Sequence, residues 1–402
     1  MKKILVLVFA LFISFSANSS EKNLINKLYY SGFSFSGDFK DKSYAYRYFG
    51  KIGDKKIASF FLQIAKNLKP VHFDIISDPK ANQLLELQNE NANFLAFVIN
   101  HEDFTEEQSG NTDVHAGFYE AYFQIMIYDS YNKNLVTSIP VNLHHRIEKN
   151  RKITSKDILD EIIELYLGKN QNILDSLFYN AINEKIKNIK LKKSYKNTIG
   201  IKKITIENEV KQILPSYFSK NISAFENYVG QVFLSNVYNN HKLAFIPFKK
   251  GELIGRTVAM RFIDQKLVHE IILPDPDFHI YLTIRKFSKV LAEENSSEQL
   301  FYYASFIHIK LIQPEIYKIS EKKKGLYFDE NLRGVLKERI PRTMLNVDDW
   351  RKYMNNYYIL CMEFSKNLQV YDSKWAKLAH KNPSQLKKSL KVFSEKIKTM
   401  NY

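Results

Sequence analysis

The ten histidines of this chain could hold a metal ion or transfer protons, and their spacing determines whether they could act together. His144 and His145 are adjacent in "NLHHRIE", and a strand would place them on opposite faces. His101 begins "HEDF", which could be a His/Asp metal pair, but we predict it at a strand end facing a polar loop. His269 in "VHEII" lacks the second histidine of a zincin helix. Each of these histidines is therefore predicted to be a surface or strand-end residue.

Phosphate binding and nucleophilic catalysis have no better support. The segment "GELIGRT" at residues 251–257 lacks the spacing and the lysine of a phosphate-binding loop. The single cysteine, Cys361, lies in the apolar stretch "YYILCMEF", where a thiol packs as a small hydrophobic group. Asp348 and Asp349 fall in the first turn of a predicted helix, where carboxylates favour the positive end of the helix dipole. No catalytic, cofactor-binding or metal-binding residue is predicted, and we expect a protein that is not an enzyme.

The first residues, "MKKILVLVFALFISFSANSSEK", predict export. Two lysines precede an apolar run at residues 4–15, which is shorter than a bilayer span. Ala17 and Ser19 then provide the small residues of a cleavage site. We predict a signal peptide over residues 1–19, no lipid-anchoring cysteine after it, and a periplasmic location.

The formal net charge of +16 is concentrated in lysine clusters at residues 184–197 and 321–325. Such clusters favour an anionic partner, which could be a lipid head group or a cell-wall polymer. Predicted export excludes nucleic acid. The charge could also reflect composition alone, because Lys, Asn, Ile, Phe and Tyr are all abundant here, as an AT-rich genome would encode.

The elements that would position a site are predicted as two tandem modules after an irregular segment at residues 20–54. The first module spans 55–197. Ile57, Phe61, Ile64 and Leu68 have helical spacing, and a short strand "VHFDIIS" and a short helix "PKANQLLELQN" follow. The strands "NFLAFVINHEDF", "FYEAYFQIMIYD" and "NLVTSIPVNLHHRI" come next. Two helices close the module, the first capped by Thr154 or Ser155.

The second module spans 198–402 and repeats this order. It begins with an entry strand "IGIKKITIENE", a helix from Ile222 to Val237 with one apolar stripe, and a strand "KLAFIPF". The segment "LIGRTVAMRFI" is predicted as the short helix, and "DFHIYLTIRKF", "FYYASFIHIKLI" and "EIYKISEKK" as three strands. Asn346 with Asp349 is predicted to cap the next helix, and Asn382–Pro383 to begin the last.

The predicted fold class is α+β, with two tandem α-β-α-β-β-β-α-α modules. In each module a small, mostly antiparallel or mixed sheet packs against helices. Phe118 and Phe301 begin the matching phrases "FYEAYFQIMI" and "FYYASFIHIK". Their apolar alternations are one residue out of step, so either a bulge interrupts the second strand or the identities are one position off.

The helix followed by "NFLAFVINHEDF" and "FYEAYFQIMIYDSYNKNLVTSIPV" resembles the anticodon-binding-like α/β domains of Tol-system and curli-secretion-type envelope proteins. With its export signal, tandem modules and lysine-rich composition, the chain also resembles periplasmic accessory proteins of the flagellar motor, in particular the Q member of the basal-disk P/Q pair. This resemblance implies a non-enzymatic component that is required for motility and works with a disk-forming lipoprotein. It assigns no functional residue.

The sequence therefore leaves three candidate functions. The first is a structural or assembly protein of the cell envelope, associated with the flagellar motor or the outer membrane, and able to form a homo-oligomer. The second is a binding protein for an anionic envelope component, which would use the lysines of 185–196 and 322–324. The third, less favoured, is a cell-wall hydrolase whose catalytic groups meet only in the folded chain.

Overall fold

The computed structural model describes residues 24–35, 44–45, 47, 54–77, 92–108, 114–129, 131–132, 134–193, 195, 197–241, 243–248, 257–261, 268–319, 324–343 and 347–400. The predicted signal peptide, the short helix "PKANQLLELQN" and Lys322 lie outside these residues. Within them the fold is α+β, as predicted, with helices packed on a large mixed sheet. We divide the chain at the predicted module boundary, so the first half ends at residue 197.

The first half begins with a strand where we expected an irregular segment. Its elements are β1 (Lys27–Phe35), α1 (Asp54–Asn67), β2 (Asp74–Ile76), β3 (Asn93–Gln108), β4 (His115–Asp129), β5 (Asn134–Lys149), α2 (Ser155–Leu167) and α3 (Leu177–Ile186). The sequence around β1 is rich in small and aromatic residues, and its pairing with β2 and β3 determines its conformation. Thr154 caps α2 in a capping box with Asp157, as one of the two predicted alternatives.

The second half has a longer set of elements. They are β6 (Ile199–Ile206), α4 (Asn208–Lys211), α5 (Ser216–Lys220), α6 (Ile222–His241), β7 (Phe245–Ile246), β8 (Thr257–Arg261), β9 (Val268–Ile272), β10 (Phe278–Glu294), β11 (Glu298–Ile312), α7 (Pro314–Ile319), β12 (Leu326–Pro341), α8 (Asp349–Asn367), α9 (Ser373–Ala379) and α10 (Pro383–Met400). The start of α10 at Pro383 agrees with the prediction.

Three predictions in the second half were wrong. The segment at 257–261 is strand β8 and not a helix, and its pairing with β9 outweighs local helical pattern. "EIYKISEKK" contributes to helix α7, because Pro314 suits a first helical turn, and the third strand is β12. The cap of α8 is Asp348, whose carboxylate accepts a hydrogen bond from the Arg351 amide at 3.0 Å.

The two halves share one sheet instead of having a small sheet each. The described strands follow the order β12-β11-β10-β6-β7-β5-β4-β3-β1-β2, with β8 and β9 attached beside β5. In each half the first strand is parallel to a long strand, which begins an antiparallel run of three: β3-β4-β5 or β10-β11-β12. The two-residue strand β7 joins the halves, because it pairs with both β6 and β5.

The helices of the two halves lie on opposite faces of this sheet. In the first half α1 and α3 cover what we call the outer face, where Phe123 and Phe61 both contact Phe178 of α3. In the second half α6, α8 and α10 cover the inner face. Helix α6 also touches the inner face of the first half, since the Gln124 amide of β4 donates to Gln231 at 3.0 Å.

Helix α6 is consequently enclosed on all sides, and the predicted single apolar stripe was incomplete. Every residue from Ala224 to Tyr238 is buried, including Glu226, Asn227 and Ser235. A helix that contacts its own half on one side and the first half on the other has no solvent-facing side. The inner face of the first half is therefore an internal contact of the protein.

The repeated phrases differ in register because the identities are one position off. Strand β11 alternates evenly, with Tyr303, Ile307 and Ile309 buried under helices. The bulge of this region lies in β10, between Ile284 and Lys286. The helix-covered Tyr119 of the first half therefore corresponds to Tyr303, although its letter match is Tyr302. The second of the two alternatives from the sequence holds.

Candidate interaction surface

Nine side chains form a three-by-three array on the outer face of the second half, which we call the outer patch. Strand registers align them in three rows: Val290, Tyr302 and Lys337; Ser288, Ala304 and Val335; Lys286, Phe306 and Arg333. The even alternation of β11 and β12 brings them to one face. The described helices α8 and α10 pack on the opposite face of these strands.

The outer patch combines apolar and basic groups. Val290 and Val335 are 56% and 46% exposed, and Tyr302 and Phe306 are half-buried. The Lys337 ammonium lies 5.2 Å from the centre of the Tyr302 ring. Aromatic residues with basic neighbours on an exposed sheet are typical of protein-binding surfaces.

The first half has an equivalent array on its inner face, which we call the inner patch. Its rows are Thr105, Phe118 and Arg146; Asp103, Glu120 and His144; His101, Tyr122 and Asn142. The two arrays share a cation–aromatic pair at the same place, because Arg146 lies 5.6 Å from the Phe118 ring centre and Lys337 lies 5.2 Å from that of Tyr302. Phe118 thus corresponds to Tyr302, and Tyr122 to Phe306.

The inner patch is covered by helices of the second half. The Tyr228 hydroxyl of α6 donates a hydrogen bond to Glu120 at 3.2 Å, and its ring packs edge-on against Tyr122. From α8, Arg351 lies 3.9 Å above the Phe118 ring and pairs with the buried Glu107. These contacts join the two halves.

The ionisable groups of the inner patch respond to this enclosure. Burial lowers the pKa of His101, which is 1% exposed, to about 3. Burial and the neighbouring Glu120 charge raise the pKa of Asp103 to about 7. Burial alone would raise the pKa of Glu120, but hydrogen bonds with His144 and Tyr228 hold it below its usual value. Of these two carboxyl groups, Asp103 is therefore the one that holds its proton to the higher pH.

The structure separates the histidines considered from sequence. His144 Nδ1 lies 3.4 Å from Glu120 on the inner face, while His145 Nε2 lies 3.2 Å from Glu161 of α2 on the other, as predicted. The prediction for His101 was wrong, because β3 continues to Gln108 and places this ring inside the protein. It packs 4.7 Å from Tyr228. The side chain of His269 lies outside the described residues.

A second buried polar group was not foreseen. Glu102 is 8% exposed and accepts hydrogen bonds from the hydroxyls of Tyr119 and Tyr166, the latter at 3.2 Å. The Ala45 amide also donates to it, at 3.2 Å. Burial raises the pKa of both tyrosines, and the charge of Glu102 raises it further. These bonds satisfy a buried carboxylate and tie α2 to the sheet; no spacing in the sequence indicated them.

Within the described part of the chain, no cluster of three or more His, Cys, Asp or Glu residues could hold a metal ion. Searching the same residues for a helix long and apolar enough to cross a membrane also found none.

The lysine-rich connector lies beside the end of the last helix. The Asn197 amide donates to the Thr399 carbonyl at 3.3 Å, and Lys193 of the connector and Lys398 of α10 are both exposed. Lys190 of the connector and Lys391 of α10 are exposed as well. This hydrogen bond joins the end of the lysine-rich connector to the end of a second lysine-rich segment.

Comparison with known proteins places the chain in no family. No protein-family model matches it, and no curated protein matches it. Among solved structures, a hypothetical protein from Chlamydia trachomatis is similar at 11% identity and a TM-score of 0.25, over 44% of this chain and 97% of that one. A neuraminyllactose-binding hemagglutinin homolog from Helicobacter pylori is similar at 14% identity and a TM-score of 0.24, over 49% of this chain and 89% of that one. At these TM-scores neither similarity bears on fold or function.

Proposed function

We propose that this protein is a non-enzymatic structural or assembly protein of the periplasm that binds other envelope proteins through the outer patch. The observation that carries the proposal is the contrast between equivalent arrays. Tyr122 of the inner patch is 2% exposed beneath α6, whereas its counterpart Phe306 is only half-buried. A half-exposed aromatic array on a rigid sheet suits a partner surface better than solvent.

In its specific form, the proposal is an accessory protein of the flagellar motor, required for motility and located at the basal disk with a disk-forming lipoprotein. This form rests on the resemblance given above. Deleting the gene should abolish swimming and remove disk density from motors imaged in cells. Restoring the gene should restore both. Normal swimming with intact disks in the deletion strain would refute the flagellar form.

A second candidate is a binding protein for an anionic envelope component. The contact between the end of the connector and the end of α10 favours it, because exposed lysines lie on both segments, Lys190 and Lys193 on one and Lys391 and Lys398 on the other. Binding to vesicles containing anionic lipid should then weaken steeply as salt rises. The double variant Lys193→Glu/Lys398→Glu should lose this binding, while Lys374→Glu on α9 serves as the matched control. Salt-insensitive binding would argue against this candidate.

A hydrolase role is not proposed. Of the titratable groups that the fold brings together, Glu120 contacts Tyr228 of α6 and His144 contacts Tyr358 of α8, while Asp103 pairs with Glu120 in the strand register. Their hydrogen bonds and ring contacts account for their arrangement as part of an internal contact.

A further inference from the structure

We infer that the outer patch binds an amphipathic helix of a different protein, with an apolar stripe flanked by acidic side chains. The inference rests on the proposed function, since it specifies the partner chemistry for the same surface. It is carried by an example within the chain, because the equivalent inner patch is already covered by helices α6 and α8. A helix in the same orientation relative to β11 would cover Tyr302 and Phe306.

The residue differences between the two arrays indicate which side chains the helix would present. The central row changes from Asp103, Glu120 and His144 to Ser288, Ala304 and Val335. In the first half the Glu120 carboxylate, at the centre of the inner patch, accepts a hydrogen bond from the Tyr228 hydroxyl. In the second half it offers a methyl group between two aromatic rings, with exposed valines nearby. An aliphatic or aromatic side chain is the group that would be buried favourably against this apolar centre.

The charges at the margin indicate acidic flanks. Lys286, Arg333 and Lys337 belong to the outer patch and are exposed, and Arg285 and Lys310 lie beside it on the same face. Near them, the acidic residues Asp329 and Glu209 pair with His308 and Lys286. The surface is therefore net positive around an apolar centre, and glutamate or aspartate on the helix flanks would complement it.

A second copy of this chain fits the patch less well. The exposed positions of α1 and α2 include Gln63, Lys66, Lys156 and Asp160, which offer no apolar stripe. The exposed residues of α10 include several lysines, which would be repelled, and the whole chain has a net charge of +16. A heterologous acidic helix satisfies both the apolar and the charge requirement.

The test uses the full chain and two synthetic 20-residue helical peptides, followed by fluorescence anisotropy. Both peptides have the same leucine stripe at i, i+3, i+4 and i+7; one has glutamate flanks and the other lysine flanks. We expect saturable binding of the glutamate peptide only. Phe306→Asp should weaken this binding at least tenfold, whereas Val370→Asp, at an exposed position away from the sheet, should leave it unchanged.

A charge-reversal variant keeps the test independent of folding defects. Lys286→Glu/Lys337→Glu changes only exposed side chains and should transfer preference from the glutamate peptide to the lysine peptide. Equal affinity for both peptides, or no effect of Phe306→Asp, would overturn the inference. So would a dimer, seen by sedimentation, that Phe306→Asp dissociates, because the patch would then be covered by a second copy.

The peptide-binding test and the motility test can distinguish failure of this inference from failure of the proposed function. If Phe306→Asp abolishes motility in cells but the wild-type chain does not bind the glutamate peptide, the proposed function stands and the acidic-helix inference fails. If the glutamate peptide binds as expected but deletion of the gene leaves motility and envelope assembly normal, the inference stands and the proposed function fails.

Discussion

The Tyr228 hydroxyl of helix α6 donates a hydrogen bond to Glu120 of strand β4 at 3.2 Å, and so links the second half of the chain to the first. Around this bond, α6 and α8 fill the space between the inner faces of the two halves. The halves are thus held together by a shared helical layer as well as by a shared sheet.

The buried amide pair Gln124–Gln231 should stabilise the contact between halves. The two side chains are 3% and 4% exposed and hydrogen-bonded at 3.0 Å. Replacing either with leucine should lower the free energy of unfolding by about 1–3 kcal/mol, because the remaining amide is left buried without this partner. The double variant should lose less than the sum of the two, as measured by urea unfolding. Strict additivity would mean that the pair is not coupled.

Arg351 should matter more than the exposed arginines. It pairs with Glu107, which is 7% exposed, and covers Phe118. Arg351→Ala should reduce the free energy of unfolding by about 3 kcal/mol, because a buried carboxylate loses its main partner, although Lys352 Nζ remains 3.9 Å away. Arg339→Ala removes a more exposed ion pair and should cost less than about 1 kcal/mol. Equal losses in thermal unfolding would contradict this prediction.

His101 should make the protein less stable in acid. Its pKa is about 3 in the folded chain and 6.5 ordinarily, so between these values the unfolded chain binds the additional proton. The contribution of neutral His101 to the free energy of unfolding is therefore fully present above about pH 6.5. It is lost as the pH falls, by up to about 1.4 kcal/mol per pH unit. His101→Phe should gain about 2 kcal/mol relative to wild type on going from pH 7.5 to 5. A pH-independent difference between the two proteins would refute it.

Asp103 should act in the opposite direction. Its pKa is raised to about 7 from 3.8, so the folded chain holds a proton that the unfolded chain releases between those values. Stability from this group falls as pH rises through that range. Asp103→Asn should therefore lose less stability than wild type between pH 4 and 7, in chemical unfolding measured across that range. A steeper loss on raising the pH would contradict the assignment.

Gly334 should be intolerant of a side chain. A Cβ atom there would lie 2.6 Å from Asn356 Oδ1 and 3.1 Å from Leu360 Cβ, so α8 would have to move away from β12. Asn356 also donates to the Tyr303 and Gly334 carbonyls. Gly334→Ala should destabilise the fold by about 1–3 kcal/mol. Val335→Ala, at the adjacent exposed position, should change stability by less than about 0.5 kcal/mol. Similar unfolding midpoints for both variants would be evidence against this close packing.

Much of the α+β fold could be predicted from local pattern. Helical spacing located α1, α2 and α10, and alternation located β11, because each of these elements buries residues at its own period. The helix α6 and the strands β3 and β4 were also located, although they are buried on more than one side. Predictions failed for segments whose conformation depends on pairing with another strand. β1 is held by its neighbours β2 and β3, and β8 by β9, so the conformation of both strands depends on residues elsewhere in the chain.

The candidate interaction surface could likewise be predicted from the sequence only in part. The sequence by itself determined that "FYEAYFQIMI" and "FYYASFIHIK" are strands, and that His144 and His145 point to opposite faces. Only the tertiary structure decided that helices cover the inner face of the first half, while Val290 and Val335 of the outer patch remain 56% and 46% exposed. The reason is that the helices of the halves lie on opposite faces of one sheet, and a strand's alternation records which residues share a face but not what lies over it.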